Sequence, residues 1–226
     1  MPISAGFICG LAVLMLFTPD SAVQNCEPPR VSTAATVGAV RAYFQKRGRA
    51  VVTFVGYSGA GYEDKAAMLA RAGAVLDGLD ASKTIVNIGA TVDGIGAVYQ
   101  LAKQKGFETT GIVSSQARTS NATIAACAGT VFFVEDETWG GHRKGTTTLS
   151  PTSSAIVNVS DYLVAIGGGD VARDEFNEAK GLGKKIEFFP ADMNHAIARA
   201  RAAKTGQPRP TDFRGALAME LAGHSK

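Results

Sequence analysis

Residues 50–64 have the sequence AVVTFVGYSGAGYED, and this stretch decides the fold class. Its first six residues are apolar or β-branched, which is typical of a strand buried on both faces of a parallel sheet. A loop with three glycines follows, and residues 62–79 then carry apolar side chains at helical spacing. A buried strand, a glycine turn and a helix in this order predict the first half of a βαβ unit.

The same alternation continues to the end of the chain. β-rich runs recur at 84–89, 109–113, 131–134, 161–166 and 185–189. Helices are predicted at 33–46, 94–105, 121–128, 170–181, 194–204 and 212–221. Residues 135–152 are polar and rich in glycine and threonine, which predicts a long loop. We therefore expect a single doubly wound, Rossmann-like α/β domain, with a mainly parallel sheet of about six strands flanked by helices.

The composition sets limits on the class of protein. A chain of 226 residues is long enough for one α/β domain with its own core. Hydrophobic residues make up 46% and charged residues 19%, which excludes an intrinsically disordered chain. The net charge of +3 is small and the basic residues are scattered, so no nucleic acid partner is expected.

The cysteines and other metal-binding residue types form no recognisable pattern. Cys9, Cys26 and Cys127 show neither a C-x-x-C pair nor the spacing of metal ligands. A disulfide framework and a zinc site are therefore not expected, and Cys127 is predicted to be a small core residue in a helix. No lysine lies in a context typical of a pyridoxal Schiff base. The sequence predicts neither a metal nor a cofactor.

The amino-terminal residues 3–17 form an apolar run without charge. Its length fits the core of a signal peptide or the short end of a membrane span. No basic residue precedes it and no A-x-A site follows, so an uncleaved anchor, a misread start and an atypical export signal stay open. Basic residues after the run favour a cytoplasmic domain, attached to a membrane or not, with export as the alternative. We expect a segment and linker at 1–30 and a domain at 31–226.

Three glycine-bearing loops follow predicted strands, at 56–61, 89–96 and 167–170. Each opens a helix, so backbone N–H groups and helix dipoles point toward one crevice at the carboxyl ends of the strands. Such a crevice suits a phosphate or another anion, although a single glycine loop is also ordinary turn chemistry. The candidate ligand-binding residues are small, polar or charged members of these loops and of the helix behind them: Ser58, Gly59, Gly61, Thr91, Gly94, Gly168, Gly169, Asp170 and Arg173.

Other nucleotide motifs are absent or displaced. Residues 167–172, GGGDVA, match G-x-G-x-x-A, but a dinucleotide fingerprint normally opens the first βαβ unit and this one follows a late strand. No G-x-x-x-x-G-K-[ST] occurs, which excludes a P-loop kinase or ATPase.

Three segments resemble the "lysine decarboxylase-like" LOG family, phosphoribohydrolases of the SLOG superfamily of Rossmann-like nucleotide binders. Residues 51–64 resemble its opening strand and loop, 89–98 its G-G-G-x-x-G-L-M-G segment, and 160–175 its S-D-x-x-x-x-x-P-G-G-x-G-T-x-x-E motif. The resemblance spans about residues 51–192. The sequence differs from the family in two features. The family's Gly-Thr pair is absent, and the positions of its Arg-Lys pair fall near Thr152 and Ser153, neither of which is basic.

The resemblance implies a nucleoside monophosphate or sugar-phosphate ligand, a homodimer, and hydrolysis of an N-glycosidic bond with Glu175 as the catalytic carboxylate. A carboxylate suits that reaction because it orients water or stabilises an oxocarbenium-like ribose. The alternative for Glu175 is to complement the helix dipole. The lost motif residues favour a second reading, a non-catalytic module that senses a nucleotide. In either case the chain is not predicted to be a lysine decarboxylase.

Three further groups of residues are assigned from the sequence, two of them with alternative roles. Arg143 and Lys144, near the single tryptophan Trp139, would clamp a phosphate beside a stacked base or form a solvated loop. His195 is expected at the start of a helix rather than in a site, with Asp192 or the neighbouring Asn194 as the cap. Apolar residues of the last helix, 212–221, serve a dimer contact or cap the core.

Overall fold

The computed structural model describes residues 26–223. Its centre is one sheet of seven parallel strands in the order β1-β5-β4-β3-β2-β6-β7. The strands are β1 Arg30–Ala35, β2 Ala50–Gly56, β3 Thr84–Ile88, β4 Glu108–Ser114, β5 Thr130–Val134, β6 Tyr162–Ile166 and β7 Lys185–Phe189. This confirms the doubly wound, Rossmann-like α/β class, with one strand more than expected.

Helices cover both faces of the sheet. They are α1 Val37–Arg47, α2 Lys65–Asp77, α3 Val98–Gln104, α4 Gln116–Thr119, α5 Pro151–Val159, α6 Asp170–Gly181, α7 His195–Lys204 and α8 Gly215–Gly223. Helices α2 and α3 pack together on one face, and α1, α5, α6 and α8 form a row on the other. Strands β3 and β6 are buried along their whole length, which explains their continuous apolar runs.

The additional strand, β1, pairs with β5 at one edge of the sheet. The helical pattern predicted from residue 33 therefore begins only at Val37, where the side chain of Thr36 caps α1 by accepting a hydrogen bond from the Ala39 N–H. The short sequence RVSTAA has no strand periodicity of its own. Its conformation depends on pairing with a distant segment, which local sequence does not encode.

Two of the predicted connections differ in the structure. The helix expected at 121–128 is replaced by α4, further upstream, and a single 3-10 turn at Ala126–Ala128. Helix α5 lies partly within the stretch predicted as loop, because its first turn is polar. Ser150 caps that helix and Pro151 occupies its first turn, which are recognisable start signals. Asn194, not Asp192, caps α7 by accepting from the Ile197 N–H.

The expectation of no disulfide is wrong. Cys26 and Cys127 form a disulfide with a Cα–Cα distance of 5.0 Å, and Cys127 lies in the 3-10 turn rather than in a helix. The pairing of β1 with β5 brings the two together, since the Arg30 N–H donates to the Gly129 carbonyl at 2.7 Å. The residues are 101 positions apart, so no local spacing reveals the bond. Cys9 lies outside the described residues.

The apolar run at 3–17 and most of the expected 1–30 segment also lie outside the described residues. Among residues 26–223, no helix has the length and apolar character needed to cross a membrane.

Candidate functional site

The strand order reverses direction at β2, which lies between β3 and β6. In open α/β sheets a ligand crevice forms at such a switch point, outside the carboxyl ends of the strands. The loops that leave β2, β3 and β6 are the three glycine loops identified in the sequence. The topology therefore brings these loops to the same edge of the sheet.

The glycine loops contact each other through their backbones. The Ile95 N–H donates to the Tyr57 carbonyl at 2.7 Å, which ties the second loop to the first. Gly94 has a φ of +58°, and a Cβ atom there would collide with the carbonyls of Tyr57 and Ser58. Glycine is required at this position by conformation and by space. Part of the glycine pattern thus reflects close packing of loop on loop rather than contact with a ligand.

Tyr57 fills the part of the crevice between β2 and β6. Its side chain is 2% exposed, and its hydroxyl donates to the Arg214 carbonyl at 2.6 Å. Burial raises the pKa of Tyr57 to about 12, so the hydroxyl stays protonated and acts as a donor. A Cβ atom at Gly215 would collide with the Tyr57 hydroxyl and the Gly168 carbonyl, so the segment before α8 covers Gly168. Tyr57 and the segment before α8 thus occupy the inner part of the crevice.

The ligand-binding candidates divide by exposure. Ser58, Gly59 and Asp170 are exposed, Gly61, Thr91, Gly94, Gly169 and Arg173 are half-buried, and Gly168 is buried. A Cβ atom at Gly59 or Gly169 would meet nothing within 4 Å, so these two glycines face open space. Gly169 is the N-cap of α6 and no side chain caps that helix. The exposed part of the candidate set thus includes the uncapped amino end of α6.

The charge of Arg173 is already neutralised by carboxylates of α6 and α8. Its guanidinium pairs with Asp170 at 2.8 Å and Asp174 at 2.8 Å, and lies 3.5 Å from Glu220. The hydrogen bond to Asp174 is the largest cause of a raised pKa of Arg173. This arrangement leaves Arg173 as part of an ion-pair network rather than as a free cation at the crevice.

Glu175 lies beneath the loop that connects β5 to α5, residues 135–150, here called the β5–α5 loop. It is 3% exposed, and its Oε1 accepts a hydrogen bond of 2.6 Å from the Ser153 hydroxyl. The same Ser153 oxygen accepts from the Gly141 N–H at 2.7 Å. Burial raises the pKa of Glu175 to about 7, although the Ser153 hydrogen bond acts in the opposite direction.

Asp174, the neighbour of Glu175, holds the next residue of the same loop. Its Oδ2 accepts from the His142 N–H at 3.1 Å and lies 3.3 Å from the His142 Nδ1. Asp174 thus binds His142 directly, and Glu175 binds the preceding loop residue, Gly141, through the Ser153 hydroxyl. Sequence analysis missed Ser153, Asp174 and His142 as members of this network, because only the fold places them together.

The β5–α5 loop carries Trp139 beside the crevice. Asp136 lies at the start of this loop. Burial acts to raise its pKa, but hydrogen bonds from the N–H groups of Thr152 and Thr138 have the larger combined effect, so the pKa of Asp136 is lowered. A Cβ atom at Gly140 would lie 3.1 Å from the Val171 side chain, so the loop rests on the first turn of α6. Trp139, the preceding residue, is 57% exposed. The loop segment that holds the exposed Trp139 thus rests on the first turn of α6, the helix whose amino end has no side-chain cap.

Arg143 and Lys144, further along the loop, are both exposed. Among residues 26–223, no group of three or more histidine, cysteine, aspartate or glutamate side chains is arranged to hold a metal ion.

A separate cavity of about 1160 Å³ lies at the opposite, amino-terminal edge of the sheet, lined by Arg47, Arg49 and Glu108 among others. Both arginines pair with Glu108, and Arg49 also donates to the carbonyls of Ala81 and Thr84 at 2.7 Å. These contacts fix the start of β2 against the starts of β3 and β4. The cavity is thus remote from the glycine loops.

The fold and the switch-point crevice define a Rossmann-like α/β protein. No protein-family model matches the chain, and no curated protein matches it. Among solved structures, TM1055 is similar at 18% identity over 61% of this chain and 72% of that one, with a TM-score of 0.42. The molybdenum cofactor carrier protein of Chlamydomonas reinhardtii is similar at 17% identity over 78% and 97%, with a TM-score of 0.45. Likeness at this level says nothing about a ligand.

Proposed function

We propose that the protein binds a nucleoside monophosphate, or a related sugar phosphate, at the outer rim of the switch-point crevice. The observation that carries this proposal is that the loop segment holding the exposed Trp139 rests on the first turn of α6, whose amino end is uncapped and where Gly169 faces open space. Free N–H groups at a helix amino terminus and its dipole favour a phosphate. An exposed tryptophan offers a face on which a base stacks.

The geometry favours a non-catalytic, ligand-sensing module over a hydrolase. A carboxylate that activates water at a glycosidic bond must reach the reacting atoms within about 3 Å. Glu175 is 3% exposed, and its Oε1 is engaged by Ser153 beneath Gly140. In the closed arrangement of the β5–α5 loop this carboxylate contacts the loop instead of the crevice. Hydrolysis by Glu175 would require the loop to move first.

Titration of the intrinsic fluorescence tests the binding proposal, because Trp139 is the single tryptophan of the chain. We expect nucleoside monophosphates to quench or shift Trp139 emission with saturation and to raise the melting temperature. Trp139→Leu is expected to weaken the thermal shift, whereas Val31→Ala, remote from the crevice at the start of β1, serves as the control. A complete series of nucleotides that changes neither signal would refute the proposal.

Chromatography of the same mixtures separates the two candidate activities. Saturable binding without release of free base supports the sensing module. Release of base that disappears in Glu175→Ala supports a phosphoribohydrolase, in which Glu175 activates water once the loop has opened. Base release that persists in Glu175→Ala would exclude Glu175 as the catalytic carboxylate.

We further propose that the folding unit extends from the linker near residue 30 to the carboxyl terminus, and that two copies associate. In α8, Leu217 is fully buried while Met219 is 49% exposed, so the helix both caps the core and offers an apolar side chain to a partner. Sedimentation of wild type and Met219→Glu tests this association. A monomer at all concentrations would refute the homodimer.

A further inference from the structure

The connection between α4 and the 3-10 turn carries a short sequence pattern that neither the fold nor the crevice uses. Residues 121–123 are Asn-Ala-Thr, which matches N-x-[ST] with a residue other than proline in the middle. This pattern is the acceptor signal for attaching an N-linked oligosaccharide to the asparagine of a surface loop in a secreted protein. A pattern of three residues also arises by chance. It therefore indicates a site only where the structure leaves the side chains free and the chain is suited to an oxidising compartment.

The side chains of this acceptor signal are free. Residues 121–123 are all exposed. Neither the Asn121 amide nor the Thr123 hydroxyl has a hydrogen-bond partner in the part of the chain that the structure describes. Asn121 has a φ of +49° and its N–H donates to the Arg118 carbonyl at 3.1 Å, so its backbone ends α4 in a tight turn. Asparagine tolerates that conformation, but the turn uses neither the Asn121 side chain nor Thr123.

A second match to the same pattern, Asn158-Val159-Ser160 at the end of α5, is closed in the structure. The Asn158 amide donates to the carbonyl of Ser154 at 2.8 Å and to its hydroxyl at 3.1 Å. Ser160 is fully buried, and its hydroxyl donates to the Thr53 hydroxyl at 2.6 Å. The folded chain thus encloses the hydroxyl that the acceptor signal requires. The two matches provide an internal comparison between an open and a closed copy of one signal.

The disulfide between Cys26 and Cys127 indicates the compartment in which the chain folds. Disulfides form and persist in secreted proteins and in the oxidising compartments of export, whereas the cytosol keeps thiols reduced. Acceptor signals for N-linked oligosaccharides are used on secreted proteins, along the same route. Cys127 follows Thr123 by four positions, so the disulfide and the open signal lie in one connection. The disulfide therefore favours export, one of the alternatives that the apolar run at 3–17 leaves open.

We propose that the chain is exported and that Asn121 carries an N-linked oligosaccharide. The donor class is an oligosaccharide linked to a lipid diphosphate. In the transfer, the amide nitrogen of Asn121 forms a bond to the anomeric carbon of the first sugar, and the bond from that carbon to the diphosphate oxygen breaks. The amide gives up one proton, the lipid diphosphate leaves, and nothing is oxidised or reduced. The modification is independent of the nucleotide site proposed at the crevice.

Secretion of the full chain, with its own amino-terminal residues, from eukaryotic cells tests this proposal. We expect peptide N-glycosidase to lower the mass of the exported chain by one oligosaccharide. Thr123→Ala should abolish this change in mass, whereas Thr123→Ser keeps a hydroxyl and should retain it. Neither substitution alters Asn121, the residue with positive φ, so the turn is preserved in both. The matched control is Asn158→Gln, which should leave the oligosaccharide in place.

Each other outcome overturns the proposal. A chain that stays in the cytosol with Cys26 and Cys127 reduced would exclude export. An exported chain with the disulfide formed and no oligosaccharide would exclude Asn121 as an acceptor. An oligosaccharide on Asn158, located by mass spectrometry of peptides, would show that exposure in the folded chain does not select the site. Circular dichroism melting is the fold control, since Thr123→Ala should melt with the wild type once the enzyme has removed the oligosaccharide.

Discussion

The substitution Glu175→Gln should make the protein more stable in mildly alkaline solution. The pKa of Glu175 is raised from an ordinary 4.5 to about 7 by burial. Folded protein therefore holds a proton on Glu175 between these pH values while unfolded protein has lost it, so stability falls as pH rises through this window. At 1.36 kcal/mol for each pH unit, the loss amounts to about 3 kcal/mol by pH 8. Glutamine keeps an oxygen acceptor for Ser153 and carries no charge, so it avoids that loss.

Urea unfolding of wild type and Glu175→Gln at pH 5 and pH 8 measures this effect. We expect similar free energies of unfolding at pH 5, and at pH 8 an advantage for the variant of about 3 kcal/mol. The comparison cancels the contributions of all ionisable groups that both chains share. Parallel pH dependences in the two proteins would refute the reasoning, since they would show that Glu175 ionises in the folded state as it does when unfolded.

Ser153→Ala provides the complementary perturbation, because it removes the donor and keeps the carboxylate. It leaves Glu175 without its 2.6 Å donor and the Gly141 N–H without its acceptor. Two buried groups without partners cost about 2–4 kcal/mol. The cost should be larger at pH 8, where Glu175 is ionised, than at pH 5. A cost that is independent of pH would separate Ser153 from the ionisation of Glu175.

Four other substitutions probe the packing of the glycine loops, the disulfide and a buried hydroxyl. Gly94→Ala should destabilise the protein by about 3 kcal/mol, because the new Cβ atom would collide with the Tyr57 carbonyl at a residue with positive φ. Gly59→Ala is the control: its Cβ atom would meet nothing within 4 Å, so stability should change by less than about 0.5 kcal/mol. Urea unfolding measures both changes. Cys26→Ala should cost about 4 kcal/mol by opening a covalent loop, and dithiothreitol should lower the wild-type melting temperature but not that of the variant. Tyr62→Phe removes a buried hydroxyl that donates to Ile166 at 2.8 Å, and calorimetry should show a loss of about 2 kcal/mol.

The parts of the fold that local sequence encodes were predictable. Six strands with apolar runs and the glycine turns after β2, β3 and β6 follow from patterns within about ten residues. Helix α6 was predicted with its observed bounds, Asp170–Gly181, because a glycine loop and an amphipathic repeat delimit it. Strand β1 has no such pattern, and its partner β5 is about 100 residues away. The disulfide depends on the same pairing and was missed for the same reason.

The site was predictable only in outline. The glycine loops indicated an edge of the sheet, but the sequence does not show that Tyr57 fills the space between β2 and β6. It also gives no sign that Ser153 and Glu175, 22 residues apart, share a hydrogen bond. Such contacts depend on how α5 and α6 pack, and many pairs of polar residues in any sequence have equivalent spacing.

The consecutive carboxylates Asp174 and Glu175 of α6 predict that the position of the β5–α5 loop and the protonation of Glu175 are coupled. Asp174 is compensated by Arg173 and His142, whereas Glu175 has the neutral Ser153 hydroxyl. Opening the loop would admit water to Glu175 and lower its pKa toward the ordinary value, so opening releases a proton near neutral pH. Raising the pH therefore stabilises the open loop relative to the closed loop, because the open form has released the proton of Glu175. A ligand that binds against the closed loop would bind without releasing that proton, whereas a substrate that must reach Glu175 would release it.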